Sequence, residues 1–327
     1  MQRRRMLGLT AVGLACALTG VAARAAAASA SAASAAPGAP PVAASGANAR
    51  LAVVPSRIVV MDFGLTEMLL TLGVTPLATS VPDWYRRTNV APPLPQGVVD
   101  IGLLYQPNFE LLEQLRPDLM LVTPAHQPLL GQLHRIAPTL TIALSAKGVE
   151  PWRQIGNETR RLARMLGREP QGEAAIASAD ASLEAVRARF ASNAASSASI
   201  ARQPVFMVEF VDDRHLLVYG EGSLFGDVME RVGLRNAWTH ETNARGYAVT
   251  DFTRLADVAD ARLVYIEPLP EAARATLADG VLWRSLPFVR AQRVAGMPKV
   301  SQGGALFSGA RFARQLADVL LPEAHDA

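Results

Sequence analysis

The sequence predicts an α/β protein of two lobes, each with a parallel sheet and covering helices, joined by one long backbone helix. Three observations predict it. Short apolar runs rich in β-branched residues alternate with amphipathic stretches between Arg57 and Leu144. An alanine-rich stretch in the middle of the chain is free of proline and glycine over residues 173–192. The alternation then restarts beyond residue 203 and continues toward the C-terminus. Strands separated by helices are the pattern of parallel pairing, because a parallel neighbour is reached only through a crossover.

RIVVMD (Arg57 to Asp62) is a short apolar run suited to a buried parallel strand. LTEMLLTLG (Leu65 to Gly73) has apolar residues at helical spacing, with Gly73 as its C-cap. TPLATS (Thr75 to Ser80) reads as a strand, and FELLEQLRPDLMLVTP (Phe109 to Pro124) as helix, turn and strand. PLLGQLHRIAP and TLTIAL (Thr139 to Leu144) add a third helix–strand unit. Two helices follow, Trp152 to Gly167 and Gly172 to Ser192, the second long enough for about five to six turns. PVFMVEFVD, SLFGDVMERVG, ARLVYIEP and a closing helix from about Leu306 to Leu320 complete the second half. The expected boundaries are an N-terminal lobe at 50–170, an interlobe helix at 171–192 and a C-terminal lobe at 193–327. No sequence repeat relates the halves.

The start of the chain carries an address. Arg3, Arg4 and Arg5 precede an apolar run broken by Gly8, Gly13 and Gly20, and Ala23-Arg24-Ala25 fits a small-x-small cleavage site. Residues 1–25 therefore read as a secretory signal peptide rather than a membrane anchor. RRRML resembles a twin-arginine signal, with the ordinary Sec route as the alternative. Cys16, the only cysteine, lies inside that signal, and Gly13 stands where a lipobox needs Leu or Val. Cleavage would leave no thiol chemistry. Residues 26–49 are almost all Ala, Ser, Gly, Pro and Val, a composition expected of a flexible tether.

The net charge of +3 changes meaning with the leader, since losing Arg3, Arg4, Arg5 and Arg24 takes it to about −1. No basic arm or arginine-rich helix then suggests nucleic acid. The enzyme signatures fail one by one. No G-x-S-x-G elbow and no P-loop exist. GEGSLFG (Gly220 to Gly226) has the wrong glycine spacing for a dinucleotide fingerprint, and Ser223 reads as a helix N-cap. The five histidines form no H-x-x-x-H or H-x-H pair. Zinc capture by scattered histidines stays open, as does iron or haem ligation by the tyrosines.

RIVVMDFGLTEMLLTLGVTPLA, PPLPQGVVDIGLLYQPNFELLEQLRPDLMLV and HRIAP resemble the N-terminal lobe of the periplasmic ferric-hydroxamate binding proteins. DDRHLLVYGEGSLFGDVMERVGLRNAW, HETNARGYAVTDFTRLAD and LWRSLPFVRAQRV resemble their C-terminal lobe. The match runs in order from Arg57 to Leu320. It implies a class III periplasmic binding protein, with two lobes on one rigid helix and a ligand in a shallow cleft between them. It also implies a non-enzymatic, monomeric, periplasmic carrier without a cofactor, taking a ferric siderophore to an inner-membrane ABC permease.

The resemblance implies site residues, and this chain departs at several. The family's hydroxamate-gripping arginine falls at Leu104, directly before Tyr105, and its tyrosine partner at His126. One cleft tryptophan becomes Phe63; two others align with Arg245 and Ser301. Trp84, Arg86 and Arg87 lie in a variable stretch. The candidate ligand-binding set is Phe63, Trp84, Arg86, Tyr105, His126, Arg245, Tyr247 and Ser301. For permease docking, the N-lobe acidic position falls at Gly131, which is not acidic, with Glu110 or Glu113 as substitutes, and the C-lobe one falls near Asp251 or Thr253; Glu110 and Asp251 are taken as the candidates. A haem- or corrinoid-binding protein of the same fold and a periplasmic hydrolase are the alternative readings.

Overall fold

The computed structural model describes residues 54–192 and 203–321. The expected signal peptide (1–25) and tether (26–49) lie outside the described residues. Strand β1 (Ile58–Val60) is wholly shielded from solvent, as a parallel strand covered on both faces must be. The chain continues through α1 (Phe63–Thr71), β2 (Ala78–Thr79), α2 (Pro82–Thr88) and β3 (Val99–Asp100). A small hairpin follows, β4 (Gly102–Leu103) and β5 (Gln106–Pro107), then α3 (Phe109–Leu115), β6 (Leu119–Val122), α4 (Leu130–Ile136) and β7 (Thr139–Thr141). The first sheet has the order β3-β2-β1-β6-β7, with every neighbouring pair parallel. Helix α2 and the β4–β5 hairpin are too short to carry a periodic signal, and sequence reading did not resolve them.

Helix α5 (Pro151–Met165) leads to α6 (Glu169–Ser192), the long helix of 24 residues. It begins three residues before the predicted Gly172. Pro170 is tolerated there because first-turn N–H groups have no intrahelical partner to lose. Gly172, Ile176, Ala179, Leu183, Val186 and Phe190 form its buried stripe, at alternating steps of four and three.

The second half contains β8 (Val205–Phe210), β9 (His215–Tyr219), α7 (Leu224–Arg231), β10 (Tyr247–Asp251) and β11 (Arg262–Ile266). Three short helices, α8 (Glu271–Asp279), α9 (Val281–Ser285) and α10 (Pro287–Arg290), precede β12 (Val294–Met297) and α11 (Leu306–Leu320). The sheet order is β10-β9-β8-β11-β12. This sheet is mixed rather than parallel throughout: β11 pairs in parallel with β8 and β12, while β9 and β10 are antiparallel. The reason is local. Asp212 accepts hydrogen bonds from the N–H groups of Arg214 (2.8 Å) and His215 (2.7 Å), closing a turn too tight for a crossover.

The alternation of side chains divides each sheet between two cores. Ile58 and Val60 of β1 face the centre of the molecule, while Val59 packs outward with Met120 and Leu112. In the second sheet Val205 and Met207 face the centre, whereas Phe206, Val208 and Phe210 pack outward with Trp283 and Phe288. The central core is shared by both lobes, and it includes Leu65 and Leu121 on one side, Phe225 and Phe312 on the other, and the stripe of α6. Phe225 and Phe312 stack at 4.2 Å.

Two helices at this junction lack caps of their own. Ala305 and Glu150, the N-cap residues of α11 and α5, give no side-chain cap bond. Carboxylates from the facing elements replace them. Glu67 of α1 is buried and accepts from the N–H groups of Ala305 (3.0 Å) and Ser308 (2.9 Å), from the Ser308 hydroxyl and from the Asn89 amide. Asp227 of α7 accepts from the N–H of Trp152 (2.7 Å) and from Arg231 Nε (2.7 Å). With a shared core, borrowed caps and an unbroken α6, the lobes are expected to stay nearly fixed relative to each other. X-ray scattering curves with and without ligand should then nearly superimpose. A clear fall in radius of gyration on ligand addition would instead reveal a hinge.

Candidate functional site: an interlobe cleft

The parallel strands of both sheets direct their carboxyl ends toward one cleft, where open α/β sheets present ligand-binding loops. Asp62 and Phe63 follow β1, Thr123 follows β6, Glu209 lies near the end of β8, and Lys299 and Ser301 follow β12. The cavity has a volume of about 610 Å³, within the range of small-molecule sites.

Phe63 opens α1 and supplies an apolar wall, edge-on to Tyr85 at 6.4 Å. Trp84, on α2, is half exposed on the same side, with the Arg87 guanidinium 5.7 Å from its ring centroid. Leu104 and Tyr105 form the tip of the β4–β5 hairpin and both line the cleft. Arg245 reaches in from the loop before β10, and its Nη2 donates to the Tyr105 hydroxyl at 3.1 Å, joining the two walls. Ser301 lines the cleft beside Lys299.

Three of the sequence candidates lie elsewhere. Arg86 is paired with Asp83 (2.8 Å) and donates to the Pro95 carbonyl (3.1 Å), so it ties α2 to the following loop and does not line the cleft. Tyr247 packs edge-on against Tyr219 at 6.3 Å, at the margin of the core, and is likewise not a wall residue. His126 is fully buried behind Tyr105, with ring centroids 5.1 Å apart. Its Nδ1 accepts from the Thr123 N–H (3.2 Å), which leaves the proton on Nε2 to donate to the Leu104 carbonyl (3.1 Å). Both ring nitrogens are thus used in fastening the hairpin. His126 positions Tyr105 and is not itself presented to a ligand.

Three charged wall residues were absent from the sequence set. Asp62 caps α1, its Oδ1 accepting from the Leu65 N–H at 3.1 Å, and burial raises its pKa despite that bond and the nearby His126 and Arg245. Glu209 pairs with Lys299 and also accepts from the Tyr219 hydroxyl at 2.9 Å. Burial, together with the Glu209 charge, holds the Tyr219 phenol well above its usual range. The carboxyl ends of the predicted strands are the available signal for Asp62 and Glu209, whereas Lys299 follows β12, a strand the sequence pattern does not single out.

The docking candidates are both exposed. Glu110 lies in the first turn of α3. Asp251 ends β10, and its carboxylate accepts from the N–H (2.9 Å) and hydroxyl of Thr253, which hold its pKa below the usual carboxylate value. Among the described residues no three or more His, Cys, Asp or Glu side chains gather as a metal site, and no helix is long and apolar enough to cross a membrane.

Two α/β lobes around a shared core, with a cleft furnished from both, define a two-lobed substrate-binding protein. The sequence pattern of the periplasmic binding protein family matches residues 58–300, and the chain belongs to that family, whose members are binding proteins and not enzymes. It is 31% identical over 269 residues to the iron(3+)-hydroxamate-binding protein FhuD of Escherichia coli K12, covering 82% of this chain and 88% of that protein. The crystal structure of FhuD from Vibrio cholerae with Fe3+-Desferal bound is similar at a TM-score of 0.71 and 28% identity, over 82% of this chain and 98% of that one. Staphylococcus aureus SirA, solved with staphyloferrin B, shares the fold at a TM-score of 0.61 and 17% identity, over 82% and 94% of the two chains.

Proposed function

We propose that this protein captures a ferric siderophore in the interlobe cleft and delivers it to an inner-membrane ABC importer, acting as a monomer in the periplasm after loss of its signal peptide. The observation that carries the reading is the cleft itself. Its aromatic residues, Phe63, Trp84 and Tyr105, can cover the organic periphery of a chelate, and polar groups from both lobes can fix its orientation. The likeness to FhuD supports iron-chelate cargo over haem or a corrinoid. No resident cofactor is required, because the iron arrives with its own ligands. Glu110 and Asp251, one on each lobe, are the acidic residues we assign to permease docking.

Trp84 provides the test. Titrating the purified mature protein with ferric siderophores should change its tryptophan fluorescence saturably, and Trp84→Phe should remove most of that signal while binding persists in a direct assay. Saturable binding of haem with a Soret band, and no response to any ferric chelate, would reverse the assignment.

A further inference from the structure

Four charged side chains line the cleft: Asp62, Glu209, Arg245 and Lys299. Lys299 is already neutralised by Glu209, whose second oxygen is held by Tyr219. Arg245 is different. Among the described residues it has no carboxylate within ion-pair distance, and its guanidinium donates to the neutral Tyr105 hydroxyl. Asp62, a carboxylate whose charge reaches it, is engaged in capping α1. Arg245 is thus the cleft cation whose charge is left for something else among the described wall residues.

The second half of the pair points the same way. The Tyr105 oxygen accepts from Arg245, so its own hydrogen remains to be donated. The ring is held in place by His126, which is anchored at both nitrogens. The main chain at Arg245 is also set, since its N–H donates to Asn243 Oδ1 at 2.8 Å. A fixed hydroxyl donor beside a guanidinium fork suits one acceptor type: an anionic oxygen group, bound by charge-assisted bonds from both.

Resting on the siderophore reading, we propose that Arg245 and Tyr105 form a cross-cleft anion clamp that selects ferric chelates carrying a free carboxylate or comparable anionic oxygen over electroneutral ones. The guanidinium gives its unused N–H groups to the carboxylate, and the Tyr105 hydroxyl turns its hydrogen to the same group. Because the two residues come from opposite lobes, the bound anion replaces a contact within the protein by one on each wall.

The experiment compares ferric citrate with an electroneutral ferric tris-hydroxamate on wild type, Arg245→Ala, Arg245→Lys, Tyr105→Phe and the Arg245→Ala/Tyr105→Phe double variant. Wild type should bind ferric citrate more tightly. Arg245→Ala should weaken ferric citrate about ten-fold or more, and Tyr105→Phe several-fold, with the neutral chelate changed less than about two-fold. Arg245→Lys should recover part of the loss, since it restores charge without the fork. The double variant should lose less than the two single losses multiplied, as for two groups on one oxygen pair. If the neutral chelate binds wild type as tightly as ferric citrate, or Arg245→Ala affects both alike, the clamp is wrong while the siderophore reading stands. If no ferric chelate binds, both are wrong.

Discussion

Glu67→Ala is expected to destabilise the folded protein by about 3–5 kcal/mol, a loss that urea unfolding of the mature protein will read directly. The carboxylate is fully buried, and alanine would strand two N–H groups at the start of α11, the Ser308 hydroxyl and the Asn89 amide. No other side chain caps α11, so nothing nearby replaces the lost acceptor. Glu67→Gln keeps one acceptor oxygen and should cost less. Its pH dependence provides a second reading. Burial raises the Glu67 pKa above 4.5 against the opposing hydrogen bonds, so the folded state holds this proton more tightly than the unfolded chain. The stability linked to that proton is present below pH 4.5 and is lost as pH rises through the folded pKa. Glutamine does not titrate, so the gap between wild type and Glu67→Gln should narrow with rising pH. A gap that widens would mean that the ionised carboxylate is the favoured form of the cap. An alanine variant within about 1 kcal/mol of wild type would show that α11 needs no cap from α1.

Gly246→Ala is expected to cost about 2–5 kcal/mol of stability and to impair ligand binding with it. Gly246 has φ +75°, where a side chain is strained, and a Cβ there would fall 1.9 Å from the Ser223 nitrogen and 2.3 Å from the Gly222 carbonyl carbon. Both are backbone atoms at the start of α7 and cannot rotate away. The loop must shift, and it carries Arg245 in the adjacent position. Gly73→Ala is the control: φ is +73°, but a Cβ would meet nothing within 4 Å, so that variant bears the conformational cost alone, about 1 kcal/mol. Gly246→Ala should exceed it by at least about 1 kcal/mol and should weaken ferric citrate binding, which Gly73→Ala should not. Equal midpoints for the two variants would mean that the clash is relieved without cost.

The elements legible in the sequence were those with enough residues to show a period. RIVVMD, LMLV and the stripe from Ile176 to Phe190 declare a buried strand or a one-sided helix through their own spacing. The α2 helix and the β4–β5 hairpin, which set the positions of Trp84 and Tyr105, span too few residues for that. Phe63, Trp84, Tyr105, Arg245 and Ser301 stand on the cleft wall, whereas Arg86, His126 and Tyr247 lie off it, because sequence spacing gives a residue's chemistry and not its direction. A histidine in the right stretch of chain can face a ligand or brace the tyrosine beside it, and only its two hydrogen-bond partners distinguish the cases.

By itself the sequence determined the two α/β lobes, the long helix between them and the order of the longer elements that it makes legible, because apolar period and turn residues act over a few neighbouring positions. Only the tertiary structure decided that the second sheet is mixed, that α5 and α11 are capped by Asp227 and Glu67 from other elements, and that Arg245 meets Tyr105 across 140 residues of chain. Those outcomes depend on where the packed sheets bring distant side chains together, which no local pattern encodes.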